Sequence, residues 1–242
     1  MGFAAIILLG AALLSLPISS RDGTGLGFVD ALFTATSAVC VTGLTVVDTG
    51  TYFSVFGQLV ILFLIQIGGL GFMTMSTLFA FVLRKRISLK ERLILQEALN
   101  QGSMEGIVRL IRKVIIYSMV IELTGAVLFT VRWSFDFSPG RAAYMGLYLA
   151  VSLFNNAGFD LSGGFRSLRS YAEDAAVNVI AMALIFLGGL GFIVLSELAE
   201  YRRTRKLSLH AKVVLTMSGL LIAIGAIVVF VFEYSNPQTL GG

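Results

Sequence analysis

The 242-residue chain has a single cysteine, Cys40, and a single histidine, His210. That scarcity excludes a disulfide framework and any Cys/His metal cluster, and most metal-dependent or histidine-dependent chemistry goes with them. Charge is scarce as well. Asp, Glu, Lys and Arg make up 13% of the residues, against 57% hydrophobic ones and a mean hydropathy of +0.89. A soluble domain of this length carries more polar surface, and its core helices keep a polar face. A bilayer is the natural solvent for such a composition.

What is abundant is uninterrupted apolar sequence. Phe3 to Ile18, Val55 to Leu83, Val114 to Val131, Val177 to Leu195 and Val213 to Phe232 contain almost no ionisable side chains. Runs of about 17 to 25 residues match the hydrocarbon thickness. Met1 to Ser20 lacks the basic start of a signal peptide and reads as a first span. The net charge of +4 does not point to a nucleic-acid partner, because thirteen of the 18 basic residues lie in two blocks. These are Arg84, Lys85, Arg86, Lys90, Arg92, Arg109, Arg112 and Lys113, then Arg202, Arg203, Arg205, Lys206 and Lys212. By the positive-inside rule both blocks are cytoplasmic. Arg21, Arg132, Arg141, Arg166 and Arg169 are outnumbered by neighbouring acids such as Asp22, Asp48, Asp136, Asp160 and Asp174, so that face reads as external.

The chain repeats itself. Ile65-Gln-Ile-Gly-Gly-Leu-Gly-Phe72, running on to Arg84-Lys-Arg-Ile-Ser-Leu89, returns 120 residues later as Ile185-Phe-Leu-Gly-Gly-Leu-Gly-Phe192, running on to Thr204-Arg-Lys-Leu-Ser-Leu209. Upstream of each lies a shorter apolar stretch, Phe28 to Val41 and Ala142 to Phe154, too short to span a bilayer as helix. Ala35, Ser37 and Gly43 align there with Ala150, Ser152 and Gly158 at an offset of 115. Each unit is therefore a span, a half-helix, a glycine loop and a second, long span. Re-entrant half-helices also keep both basic blocks on one face, which crossing segments would not. The all-helical chain then holds two complete units and the first helix of a third. Residues 1–86 form the first unit, 87–106 a cytoplasmic linker, 107–206 the second, and 207–242 the start of the third.

Irregular backbone at membrane depth is costly unless it lines water or protein. Its strongest use is to aim carbonyl oxygens at a dehydrated cation, and glycine permits the close approach this needs. Val41, Thr42, Gly43 and Leu44 are the candidates in the first loop; Asn156, Ala157, Gly158 and Phe159 are those in the second. The half-helices would point partially negative C-terminal ends at the cation, and Asp48 and Asp160 would concentrate cations at the external mouth. The plainer alternative makes Gly43 and Gly158 simple helix C-caps. Gly68, Gly69 and Gly71, with their copies, read as packing glycines. Glu122, an acid within an apolar run, is functional by default, yet Lys113 and Arg112 lie two turns away, and snorkelling or structural pairing explains it equally well. Cys40 reads as a small buried hydrophobe.

These residues resemble a known family. Thr34-Ala-Thr-Ser-Ala-Val-Cys-Val-Thr-Gly-Leu44, Val46-Val-Asp-Thr-Gly50, Ile65-Gln-Ile-Gly-Gly-Leu-Gly-Phe72 and Asn155-Asn-Ala-Gly-Phe-Asp160 are similar to the first two repeats of the KtrB/TrkH/HKT potassium transporter superfamily, on its KtrB side. The resemblance implies four M1–P–M2 repeats of potassium-channel type around a pseudo-fourfold pore, each giving one filter glycine, with Gly43 and Gly158 the first two. It implies potassium held through backbone carbonyls alone, sodium as a possible coupled or activating ion, no covalent cofactor, and a place in the cell membrane. It further implies a homodimer and a cytoplasmic nucleotide-binding ring of KtrA or TrkA type. Arg84, Lys85, Arg86, Arg202, Arg203, Arg205 and Lys206 fall where that ring would dock. Because the third unit is only begun, the chain reads as a fragment of a longer one.

Three other classes compete with a potassium-translocating subunit. An intramembrane hydrolase using Asp160 or Ser162 needs a partnered base at membrane depth, and the remaining acids are scattered. A secondary transporter with broken helices more often has inverted repeats than like-facing ones. A non-conducting membrane scaffold is the third.

Overall fold

Proline, glycine and short polar side chains decide where the apolar runs start and stop being helix. The computed structural model describes residues 2–71 and 104–236. The first helix, α1, covers Gly2–Leu14 and stops ahead of Pro17, whose ring holds Leu16 extended (φ −68°, ψ 142°). A 3₁₀ turn, Pro17–Ser19, follows. Helix α2 is Phe28–Val39, 12 residues or about 18 Å of rise. A single turn, α3 (Thr49–Tyr52), leads into α4, Val55–Leu70, which opens on Ser54 accepting the Gly57 amide and closes at Gly71. Helix α5 is Met104–Trp133, and α6, Pro139–Phe154, starts on Pro139, which has no amide to leave unpaired. After a second 3₁₀ turn, Ser167–Tyr171, come α7 (Ala175–Gly189), α8 (Phe192–Thr204) and α9 (Leu209–Glu233). Among the described residues the only strand-like pairing is an isolated bridge between Ser20 and Phe53.

The chain divides into two units, Met1–Gly189 and Leu190–Gly242. Within the first, α2 packs on α1 and α4, while α6 packs on α5 and α7, and α4 meets α6. Alanine makes the first set close: Ala31, Ala35 and Ala38 line one face of α2 and are wholly buried with Ala11, Leu14, Ile61 and Ile65. Tyr148, Val151, Ala157 and Phe159 join the same core, so the second half-helix and its loop are anchored in the first helical set. Arg21 donates to the carbonyls of Gly50 (2.6 Å) and Phe53 (3.2 Å), and Tyr144 donates to Gln58 Oε1 at 2.9 Å. Arg132 pairs with Asp136 (2.9 Å) and Asp174 (2.6 Å), and Asp174 also accepts the Ala176 and Val177 amides at the start of α7.

Within the second unit, α9 buries only Ala211 of its 25 residues. Its Ser208 caps the Ala211 amide, and the Ser208 amide donates to Glu197 on α8 at 2.8 Å. Among the described residues two helical stretches are long and apolar enough to cross a bilayer, Arg112–Trp133 of α5 and all of α9, and α7 with α8 makes a third if the bent pair is one span. With the shorter apolar helices, this makes the chain a helical membrane protein.

Each expected second span is interrupted at a glycine within the described residues. Helix α4 ends at Leu70 because Gly71 turns to φ +78°, and the Val177 to Leu195 run breaks between Gly189 and Phe192, with Gly191 at φ +82°. These two glycines interrupt helices through their backbone conformation. Among the described residues neither would bring a Cβ within 4 Å of another atom, in contrast to the close contacts at Gly68 and Gly188. The remainder of the first run, from residue 72, lies outside the described residues.

Candidate functional site: two glycine loops

Each half-helix ends in the same hydrogen-bonded turn. In the first, Val41 N–H donates to Ala38 O (3.3 Å) and Thr42 N–H to Ser37 O (2.9 Å), with Cys40 at φ −84°, ψ 0°. In the second, Asn156 N–H donates to Leu153 O (3.0 Å) and Ala157 N–H to Ser152 O (2.7 Å), with Asn155 at φ −79°, ψ 1°. This is the paired bonding of a Schellman ending, in which the residue two past the helix is left-handed. That residue is Val41 (φ 57°) in one loop and Asn156 (φ 58°) in the other. The glycines are therefore not the helix caps. Gly43 and Gly158 lie two residues further on, each left-handed again at φ 74° and 76°.

Left-handed residues thus alternate with the intervening Thr42 and Ala157, which are not left-handed. In a uniformly extended strand, successive carbonyls point to opposite sides; reversing the hand at every second residue turns them toward one side. Val41 makes this alternation against its own preference, because a β-branched side chain at positive φ is a genuine outlier.

The two loops touch through their backbones. A Cβ on Gly43 would run into the carbonyl oxygen of Ala157 and lie 3.4 Å from Gly158 Cα. Gly43, Ala157 and Gly158 are thus brought together. Thr42, Asn156 and Gly158 are exposed, Val41 and Gly43 half-buried. Leu44 turns its side chain out (61% exposed), whereas Phe159, its repeat counterpart, is buried (1%). Cys40 is exposed, which corrects the expectation of a buried hydrophobe.

Glycines on the following helices hold the half-helix ends. A Cβ at Gly68 would strike the carbonyl oxygen of Val39, and one at Gly188 that of Phe154. The C-terminal carbonyls of α2 and α6 are thus approached by backbone, as the packing reading of these two glycines requires. Gly69 packs differently, because its missing Cβ leaves room for the Asn155 amide; nothing lies within 4 Å of the equivalent position at Gly189.

The two mouth acids are engaged locally. Asp48 Oδ1 accepts the amide and hydroxyl of Thr51 (both 2.7 Å), and Oδ2 accepts the Phe165 amide of the second loop at 2.8 Å. Partial burial disfavours its charge, but the bonds from Phe165, Thr51 and Gly50 outweigh that and hold its carboxyl below the usual range. Asp160 accepts the Ser162 amide at 2.8 Å. Of the basic residues, Arg202, Arg203, Arg205 and Lys206 are exposed, with Arg205 left-handed (φ 49°) at the end of α8; Arg84, Lys85 and Arg86 lie outside the described residues.

Glu122 is buried, and among the described residues its hydrogen-bond partners are amides. It is 5% exposed, and its carboxylate accepts from Gln66 Nε2 (3.0 and 3.2 Å) and Asn155 Nδ2 (3.0 Å). Sequence reasoning missed Gln66 and Asn155 as its partners. The available signal was an amide at each place: Gln66 interrupts one long apolar run, and Asn155 follows the end of a half-helix.

The family model described as TrkH, cation transport protein, matches residues 7–238. The Ktr system potassium uptake protein B of Bacillus subtilis is 47% identical over 241 residues, covering 100% of this chain and 53% of its own length. The potassium/sodium uptake protein NtpJ of Enterococcus hirae is 43% identical, over 99% of this chain and 52% of its own. The Ktr system potassium uptake protein B of Vibrio alginolyticus is 37% identical, over 100% of this chain and 52% of its own. The chain spans about half the length of these curated relatives.

Proposed function

The chain belongs to the TrkH family of cation transport proteins, and from that premise we propose that it supplies two quadrants of a potassium pathway across the cell membrane. The relatives are named as transporters rather than enzymes, and no covalent chemistry is required of this chain. The observation that carries the reading is the pair of loops: one backbone conformation, repeated at an offset of 115, with left-handed residues alternating and the two glycines in backbone contact. Alternating handedness is what a run of carbonyls needs to face one axis, and carbonyls are the ligands that replace a potassium ion's water.

On this reading α1, α2 and α4 are the first M1–P–M2 repeat (residues 1–86). Helices α5, α6 and α7 with the following α8 are the second (107–206), and α9 opens a third (207–242). Val41, Thr42, Gly43 and Leu44, then Asn156, Ala157, Gly158 and Phe159, line the filter. Asp160 adds negative charge at the external mouth. Asp48 contributes there as well, with its main task holding the two loops together. The basic segments around Arg84 to Arg86 and Arg202 to Lys206 face the cytoplasm and dock a nucleotide-binding partner of KtrA or TrkA type. The complete protein works as a homodimer, and sodium is a coupled or permeant second ion.

The test is ion preference in cells lacking other potassium uptake, with the complete protein carrying Gly43→Ser or Gly158→Ser. Each variant is expected to lose potassium-over-sodium preference. Growth on low potassium with that preference unchanged in both would sink the filter assignment.

A further inference from the structure

Behind the second loop lies a side-chain cluster built on Asn155, which has no amide counterpart at Cys40 in the first. Asn155 is the last residue before the left-handed turn of α6, and it is only 8% exposed. Its Nδ2 donates to Glu122 Oε1 (3.0 Å), to Gln66 Oε1 (3.3 Å) and to the Val151 carbonyl of its own helix (2.9 Å). Gln66 Nε2 closes the triangle onto both oxygens of Glu122. Three helices, α4, α5 and α6, therefore meet at one acid and two amides, and Gly69 provides the space that lets Asn155 reach them.

The surroundings make this an expensive arrangement. A cavity of about 420 Å³ borders the cluster, and among the described residues of its wall Gln66 and Glu122 are the polar ones. Among the described residues the hydrogen-bond partners of Glu122 are uncharged amides. An acid held at membrane depth by amides alone is not there for packing, since an apolar side chain would fill the same space at lower cost. By sequence offset, Cys40 takes the place of Asn155 (115) and Phe186 that of Gln66 (120), so neither amide recurs in the other repeat. The cluster is thus no inheritance common to the repeats.

We infer that Glu122 and Gln66 are positioning residues for the second glycine loop. They act through Asn155, fixing the start of the turn that sets the Ala157 and Gly158 backbone against Gly43. The inference rests on the proposed filter reading and adds the residues that tune it. The second loop is held from behind by side chains, so its carbonyl spacing, and with it the discrimination between potassium and the smaller sodium ion, depends on an acceptor pair at Glu122.

The experiment measures potassium-over-sodium preference in the complete protein for four variants, with the amount of monodisperse protein extracted from the membrane as control. Glu122→Gln keeps the shape and removes one acceptor, and the expected preference is at least about fivefold lower. Asn155→Ser cuts the link to the loop while leaving Glu122 and Gln66 paired, and a similar loss is expected. The exchange Gln66→Glu with Glu122→Gln keeps one acid facing two amides and is expected to recover most of the preference. Gly158→Ser reports on the filter reading itself. A cluster that only stabilises the fold would lower the amount of protein and leave the preference alone. Where Glu122→Gln does not accumulate, Asn155→Ser decides. Preference lost in Gly158→Ser but intact in Glu122→Gln and Asn155→Ser overturns the inference and leaves the filter reading standing, as does an exchange variant that recovers nothing. Preference intact in Gly158→Ser as well overturns both.

Discussion

The first and second glycine loops share a backbone but not a foundation. Their left-handed residues agree closely, 57° and 74° against 58° and 76°, and their closing hydrogen bonds run between equivalent atoms. Their supports have diverged. The first loop is braced from within, by the Thr42 hydroxyl donating to Ser37 Oγ at 2.9 Å, and it exposes Thr42 and Leu44. The second has alanine in place of Thr42, so Ser152 Oγ is left buried with no hydrogen-bond partner. It is braced instead from outside, by Ala157 and Phe159 in the core and by Asn155 on Gln66 and Glu122. The two loops share the conformation and differ in the side chains that hold it, so one backbone shape is reached by two sets of supports.

Adding a methyl group to each loop glycine, Gly43 and Gly158, separates the two most sharply. At Gly43 the new Cβ meets the Ala157 backbone as well as a forbidding φ, whereas at Gly158 it meets only Gly43 Cα at 3.6 Å. Gly43→Ala is expected to cost about 3 kcal/mol or more, and Gly158→Ala about 1–2 kcal/mol, the cost of the left-handed conformation alone. Thermal unfolding in detergent would show the order, and equal losses would mean that the loops do not press on each other at Gly43.

The adjacent helices give a second contrast. Gly69→Ala drives a Cβ into Asn155, a short side chain already tied by three hydrogen bonds, and is expected to cost about 1–3 kcal/mol. Gly189→Ala, its counterpart in the repeat, meets nothing and is expected to be within about 0.5 kcal/mol of neutral. A smaller effect of opposite sign belongs to the turn residues. Val41→Gly relieves a β-branched side chain at φ 57° and should stabilise by about 1 kcal/mol, whereas Asn156→Gly, where asparagine tolerates the conformation, should change little.

Much of this was legible in the sequence because it is local. The repeat, the short half-helices and the positions of Gly43 and Gly158 follow from spacing alone, and the 115 offset reappears in every bond of the turns. Two kinds of feature were hidden. One is conformational: nothing in the letters at Val41 announces a left-handed residue, and in Gly-Gly-Leu-Gly only the backbone distinguishes Gly68, which packs on a carbonyl, from Gly71, which ends the helix. The other is long-range. Glu122 was visible as an anomaly, but the partners nearest in sequence, Arg112 and Lys113, are not its partners in space. Gln66 and Asn155 are 56 and 33 residues away, and no single-chain periodicity links them.

Acid should tell the loops apart more gently. Asp48 is the one carboxylate that ties them across the repeat, bonding Thr51 beside the first and the Phe165 amide beyond the second. Its folded-state carboxyl titrates below its unfolded one, so the stabilisation it gives is fully present above the ordinary carboxylate range and is lost as pH falls through the lower, folded value. Asp160, whose one hydrogen bond is to a residue two positions on, ties nothing across the repeat. Hydrogen exchange at the Phe165 and Thr51 amides is therefore expected to lose protection as the pH is lowered past the usual carboxylate range, and at the Ser162 amide much less. Asp48→Asn should expose the same two amides at neutral pH, because a carboxamide keeps one acceptor where the carboxylate offered two. If Phe165 stays protected in that variant, Asp48 is not what holds the loops together, and contacts such as those of Gly43 with Ala157 and of Gly50 with the Leu161 backbone suffice.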